Sequence, residues 1–209
     1  MARDATETRD RLIRAGERLF AARGVDGALT RDIVAEAGQS NGSAVHYHFG
    51  SRAGLLRAIS AKHVRRMEAE RAEHLRSLDH DGQPGQLHPV VHGILAPTAA
   101  ALHTADGRDF LRIIAQLAGY AGIRATDPPD PLPGTRLQRQ LELLVDCCAT
   151  RMPEPLARER VATVVAMLAS TLADRARQLE EGVPLLLEHA AFVNNLTGMI
   201  VGALEAPLP

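Results

Sequence analysis

The sequence predicts an all-α protein, a small N-terminal three-helix unit followed by a larger helical remainder. Apolar residues recur at i, i+3 and i+4 along almost the whole chain. Strand-like alternation of β-branched and aromatic residues is missing, and aromatics make up only 3% of the residues. Gly, Pro, Ser and Thr fall at helix-length intervals, where caps and stops belong.

The first helix carries one broad apolar stripe, Leu12, Ile13, Ala15, Gly16, Leu19 and Phe20, and Gly24 stops it. Thr30 is the expected N-cap of a second helix with Ile33, Val34 and Ala37 inward and Gly38 at its end. Ser40 or Asn41 caps a third, short helix that turns Val45 and Phe49 inward. Ser51 caps a fourth that runs to about Leu78, before the breaker at 79–85. Further helices are expected over 89–104, bent or broken by Pro97, and over 108–120, 135–151, 155–181 and 184–206. The segment 127–134 is too proline-rich for helix or strand and reads as an exposed loop. The boundary between the two units is placed at residues 6–66 and 67–209.

With 209 residues, the chain is long enough for a small module plus a larger domain. It holds no apolar run of the roughly 18 residues that a membrane span needs. Arg3, Asp4, Glu7, Arg9, Asp10 and Arg11 leave no apolar segment for a signal peptide, so a cytoplasmic location with no membrane partner is expected. The only two cysteines, Cys147 and Cys148, are adjacent and point different ways on a helix, which suits apolar filler rather than a disulfide framework or a metal knuckle. The net charge of −1 hides an asymmetry: residues 1–76 hold fourteen Lys and Arg against ten Asp and Glu, the remainder ten against fifteen. The N-terminal third is therefore basic, the end that a nucleic-acid partner requires.

Residues 30–56 carry the chemistry. Two short helices around a Gly-containing turn form a helix-turn-helix, which delivers a few side chains into the major groove of DNA. Ala37 and Gly38 allow the close approach, and Leu29, Ile33, Val45, Phe49 and Leu55 supply a small core. The candidate DNA-contacting residues are then Thr30 and Arg31 at the head of the second helix, Gln39, Ser40 and Asn41 in the turn, and Ser43, Ala44, His46, Tyr47 and His48 on the third helix. Arg52 follows at the start of the fourth. Hydroxyls, imidazoles and a phenol bond base edges or phosphates, Ala44 touches a thymine methyl, and Thr30 with the helix amides seats a phosphate.

This segment resembles the tetracycline-repressor (TetR) family of bacterial transcriptional regulators. The resemblance rests on Leu19-Phe20-Ala21-Ala22-Arg23-Gly24, on Thr30-Arg31-Asp32-Ile33-Val34-Ala35-Glu36-Ala37-Gly38, on Tyr47-His48-Phe49-Gly50-Ser51-Arg52, and on Leu55-Leu56. It covers the first third of the chain. Three departures stand out: one extra residue between Gly38 and Phe49, His46 where the family most often has a phosphate-touching tyrosine, and Arg52 in place of the usual lysine.

The resemblance implies a second domain that dimerises and holds a small-molecule effector. Val161, Val165, Leu168 and Leu172 on one helix, with Phe192, Leu196, Met199 and Ile200 on a last helix apolar nearly all round, are the expected dimer interface, and Gly198 and Gly202 let another helix come close. His92, Phe110, Ile114, Leu117, Leu144 and Cys148 are the candidate effector pocket, with His103 and Gln116 as further polar fixtures. The function expected is a ligand-responsive transcriptional regulator, repressor rather than activator, binding a near-palindromic DNA operator as a homodimer, with a partly apolar effector, no cofactor and no metal. It is not expected to be an enzyme. One rival is an interaction protein of the same fold with weakened DNA binding. The other is a small helical metal enzyme built on His88 and His92, although Pro89 places His88 outside the helix at its cap.

Overall fold

The computed structural model describes residues 2–80, 86–118, 123–124 and 134–208. The expected loop positions 81–85 and 127–133 and the helix end at Tyr120 lie outside the described residues. The elements are α1 (Ala2–Arg23), α2 (Thr30–Glu36), α3 (Ala44–Phe49), α4 (Arg52–His80) and α5 (Leu87–Ala99), which runs on into a 3-10 turn (Ala100–His103). They continue with α6 (Ala105–Leu117), α7 (Arg136–Ala149), α8 (Glu154–Glu181) and α9 (His189–Leu204). The chain is all-α, with no strand among the described residues. No helix among them is long and apolar enough to cross a membrane.

Local chemistry explains where these boundaries depart from the sequence reading. α2 begins on Thr30 itself, with extended Leu29 in the cap position and no side-chain cap; Leu29 is exposed rather than in the core. Ser43 is the N-cap of α3, while the Asn41 carboxamide oxygen accepts from the Ser43 amide at 2.9 Å and shapes the turn before it. α6 starts earlier than expected because Thr104 Oγ1 accepts from the Gly107 amide. α9 starts later, at His189, and the extended stretch before it is held by Arg175 Nη2 donating to the Leu187 carbonyl at 2.6 Å. His88 lies inside α5, whose cap is Gln86; Pro89 then falls in the first turn, where a missing N–H is harmless.

Pro97 does not break α5. Its missing N–H frees the carbonyl four residues back, on Gly93, and that oxygen instead accepts from the buried amide of Gln140 on α7 at 3.0 Å. The neighbouring Ile94 carbonyl accepts from the Thr98 hydroxyl at 2.7 Å. The Gln140 amide thus replaces the one ladder hydrogen bond that proline removes.

The buried apolar residues form two clusters. One joins α1 to the start of α4 through Leu12, Phe20, Ile33, Val45, Leu55 and Ile59, and takes Ile113 from α6. The other fills α5 to α9 around Leu95, Leu111, Leu144, Val161, Leu172 and Ile200. α4 runs unbroken through the expected domain boundary at 66, and α6 touches both clusters.

A buried polar knot locks these parts together. Glu17 of α1 is buried, and its carboxylate pairs with the ring of His63 and with Lys62 Nζ, the latter at 2.8 Å. Lys62 Nζ also lies 2.9 Å from Asp106 of α6, which Arg66 Nη1 reaches at 2.6 Å. His63 stacks on Phe110 of α6, centroids 4.3 Å apart, so α1, α4 and α6 share one charge-compensated junction. Burial opposes ionisation of Asp106, but hydrogen bonds from Arg66, Lys62 and Thr104, with the Lys62 charge, outweigh it and hold the carboxyl well below the usual carboxylate range.

Two outcomes follow from this junction. Lys62→Met leaves the Glu17 carboxylate buried without its ammonium, and chemical denaturation should show a loss of about 3 kcal/mol. Because the folded-state pKa of Asp106 is depressed, its contribution is fully present above the ordinary aspartate value of about 4 and drains away as pH falls below it. Urea titrations across that acid range should therefore show a shallower decline for Asp106→Asn than for the unaltered protein.

Candidate nucleic-acid interface

The turn between α2 and α3 is set by backbone hydrogen bonding. Gly38 adopts φ +67°, its N–H bonds to the Ala35 carbonyl, and the Gln39 N–H bonds to the Val34 carbonyl. This is the Schellman arrangement, which glycine enters without a Cβ clash. After it the chain swings through 40–42, and α3 lasts six residues before Gly50 ends it. Gly54 lets α4 approach closely, since a Cβ there would lie 1.9 Å from the Phe49 carbonyl oxygen. Buried Ile33, Val34, Ala37, Ala44 and Val45 then fix α2 and α3 against α1 and α4.

One face of α3 is left outward. Tyr47 is 79% exposed, the most solvent-open aromatic described, flanked by exposed Ser43 and His46. Half-buried His48 meets the Tyr47 ring edge-to-face at 4.9 Å and buttresses it. Ser40 and Asn41 are exposed in the turn; Gln39 is half-buried, its amide near the Ala37 carbonyl at 3.4 Å. Thr30 is half-buried, and Arg31 is 83% exposed while lying 3.5 Å from Asp32. Arg31, Ser40, Asn41, Ser43, His46 and Tyr47 are therefore the exposed members of the expected set.

Two expected contacts are withdrawn. Ala44 is only 4% exposed and packs in the core, because the first turn of so short a helix must anchor it. Arg52 turns inward: its Nε donates to the Ala28 carbonyl at 3.0 Å and its guanidinium lies over the Phe20 ring at 5.1 Å, so it staples α4 to the loop after α1. Arg9, missed in the sequence reading, sits over the Phe49 ring at 5.1 Å and brings an exposed guanidinium beside the end of α3. Only its place in a charged N-terminus hinted at it.

Among the described residues, those expected to line a pocket pack in different places. Phe110 belongs to the polar knot, and Leu117 packs on the N-terminal cluster. Ile114 packs against the larger core, and Cys148 is buried in it, its thiol pushed up to about 11 by burial and by Cys147. His92 faces exposed His88 across 6.5 Å. His103 meets His189 at 4.4 Å, and Gln116 accepts from the Val25 amide on the far side of α6. Of the six, only Leu144 lines the cavity between α5, α7, α8 and α9, which holds about 10 Å³, room for one water.

The stripe expected to meet a second chain is largely spent inside this one. Val161, Leu168, Leu172, Phe192, Leu196 and Ile200 are buried, Val165 is half-buried, and only Met199, 56% exposed, faces outward. These large side chains pack α8 on α9 and α5, leaving the other face of α9 to Ala191, Asn195, Gly198 and Gly202. Glu17, His63 and Asp106 bring potential metal-ligand atoms within 4.8 Å of one another, yet Lys62 Nζ already lies within 3 Å of both carboxylates as their cation.

Residues 12–59 match the family model of bacterial regulatory proteins, tetR family. No curated protein matches the chain. Among solved structures it is similar to NalD, the secondary repressor of the MexAB-OprM multidrug efflux pump in Pseudomonas aeruginosa, at 17% identity over 96% of this chain and 97% of that one, TM-score 0.55. It is also similar to a transcriptional regulator from Rhodococcus sp. Rha1, at 22% identity over 95% and 99%, TM-score 0.50. A protein described as a TetR-family transcriptional regulator from Rhodococcus sp. matches at 19% identity over 96% and 100%, TM-score 0.50.

The inward and outward roles separate by stability. Arg52→Ala should cost about 2 kcal/mol in chemical denaturation, from a charged hydrogen bond and a ring contact. Tyr47→Ala should change it by less than about 0.5 kcal/mol.

Proposed function

We propose that this chain, whose residues 12–59 match the tetR family model, is a TetR-family, ligand-responsive transcriptional repressor that binds a near-palindromic DNA operator as a homodimer. The observation that carries the reading is Tyr47: a large aromatic held 79% exposed on a six-residue helix whose other face is buried. The phenol on that outward face can reach a base edge or a phosphate oxygen, as DNA contact requires. Ser43, His46 and Arg31 extend the same surface toward the groove, and Thr30, Gln39, Ser40, Asn41 and His48 border it. The reading places the protein in the cytoplasm and calls for no cofactor and no catalytic residue.

The dimer is proposed on the outward side of α9. Ala191, Asn195, Gly198 and Gly202 are small and exposed, and a Cβ at either glycine would meet nothing within 4 Å. Met199 stands among them as the one large apolar side chain. Such a face admits a second helix closely, and a two-fold axis there spaces the recognition helices by about 34–36 Å or a multiple, one turn of B-DNA. An effector then acts by preferring a state whose recognition helices are wrongly spaced.

One observation favours the interaction-protein alternative: Arg52 is drawn inside and Arg31 lies beside Asp32, which thins the free positive charge near α3. Titration of the protein against DNA flanking its own coding region, at two salt concentrations, decides between them. The repressor reading expects tight binding that falls with salt at about −0.9 per phosphate neutralised, and at least a ~10-fold loss for Tyr47→Ala. Weak binding to every fragment at low salt would favour the alternative. Met199→Arg should convert the dimer to a monomer in light scattering and weaken operator binding in the same assay.

A further inference from the structure

Arg71, midway along α4, is 2% exposed. Its Nη1 donates to Gln140 Oε1 and its Nη2 to Thr98 Oγ1, both at 3.0 Å. The remaining neighbour of Nη2 is the Met67 thioether at 3.5 Å, and Nε has no partner. No carboxylate among the described residues lies within ion-pair distance. Glu68, close in sequence, is engaged by the Arg136 amide at 3.1 Å, and it and Glu70 act on Arg71 only through space. Burial draws the guanidinium down to about 10, which still leaves it charged at neutral pH.

A buried cation met only by neutral acceptors is costly, and an apolar side chain of similar size is usually no worse for stability. The surroundings nevertheless hold this guanidinium in one pose. Gln140 is fixed by donating to the Gly93 carbonyl that Pro97 frees, and Thr98 by donating to the Ile94 carbonyl, so both present acceptors to Arg71. The edge left under-used is Nε with Nη2, the side-on fork that takes a carboxylate bidentately. Met67, unbranched and adaptable, is all that covers it. One helical turn away along α5 and α7, Ile94 and Leu144 line the apolar cavity together with Val165 and Leu168.

We infer that Arg71 is the anion-binding residue of the effector site, and that the effector is a small carboxylate whose apolar body enters the seam beside Ile94 and Leu144. The carboxylate displaces Met67 from the Nε–Nη2 edge and gives the buried cation its counter-charge, while the apolar body widens a cavity now the size of one water. A neutral analogue gains the apolar contact but leaves the guanidinium unpaired. The assignment rests on the ligand-responsive reading above for its consequence at the operator, and on Arg71 alone for binding.

The test uses the full chain with benzoate and hexanoate as probes, against benzamide and 1-hexanol. Saturating carboxylate should raise Tm by about 5 °C or more, and the neutral analogues by little. Arg71→Met should keep an equal or higher starting Tm and lose the shift; Arg71→Lys, charged but without the fork, should bind at least ~10-fold more weakly. Should Arg71→Met not fold, the Arg71 Nε–H resonance in protein labelled with 15N-arginine carries the test, moving with benzoate and not with benzamide. Equal shifts from the neutral analogues, a shift retained in Arg71→Met, or no shift from either carboxylate overturns the assignment. The operator titration keeps the two readings apart. DNA binding without a carboxylate response removes the anion site alone, while an Arg71-dependent response without DNA binding removes the repressor reading alone.

Discussion

The ammonium of Lys62 between the carboxylates of Glu17 and Asp106 is the interaction on which the arrangement of this molecule depends. It joins α1, α4 and α6 at one junction centred on buried Glu17. Apolar packing supplies most of the folding free energy on either side but specifies direction poorly. A buried carboxylate, by contrast, tolerates only the geometry in which its charge is met. The knot therefore fixes how the helix-turn-helix is carried on α4.

Within the N-terminal unit the same economy recurs on a smaller scale. α3 is too short to be stable by itself, so half its residues are committed to the core and the remainder face solvent. Arg52, which its position at a helix start would make a phosphate ligand, is instead needed to close the loop after α1. The outward surface of α3 is narrow and centred on a phenol and an imidazole.

The helices of the N-terminal unit were legible in the sequence because their signals are local: the Leu12 to Phe20 stripe, Gly38 at a left-handed turn, Ser51 before α4. Errors arose where a tertiary partner replaced the local signal. Pro97 reads as a breaker until Gln140, 43 positions later, supplies the missing donor. Phe110 and Leu117 read as pocket walls because periodicity gives a buried face without saying which neighbour covers it. The α8 and α9 stripes misled likewise: large apolar residues mark the most buried side, which here is intrachain, while the side open to a partner bears small residues with little signal. Glu17, Lys62, His63 and Asp106 are scattered over 90 positions, and only the fold brings them together.

Lys62 is the only lysine among 24 basic residues, and it is spent inside the knot. Every other cationic side chain is a guanidinium: planar, forked, weakly hydrated and demanding in the angle at which it accepts an anion. Such a surface has no compact ammonium groups to slide along a phosphate backbone as point charges. Its encounters with polyanions become a matter of fit more than of total charge, and a protein of net charge −1 can still tell one anionic surface from another.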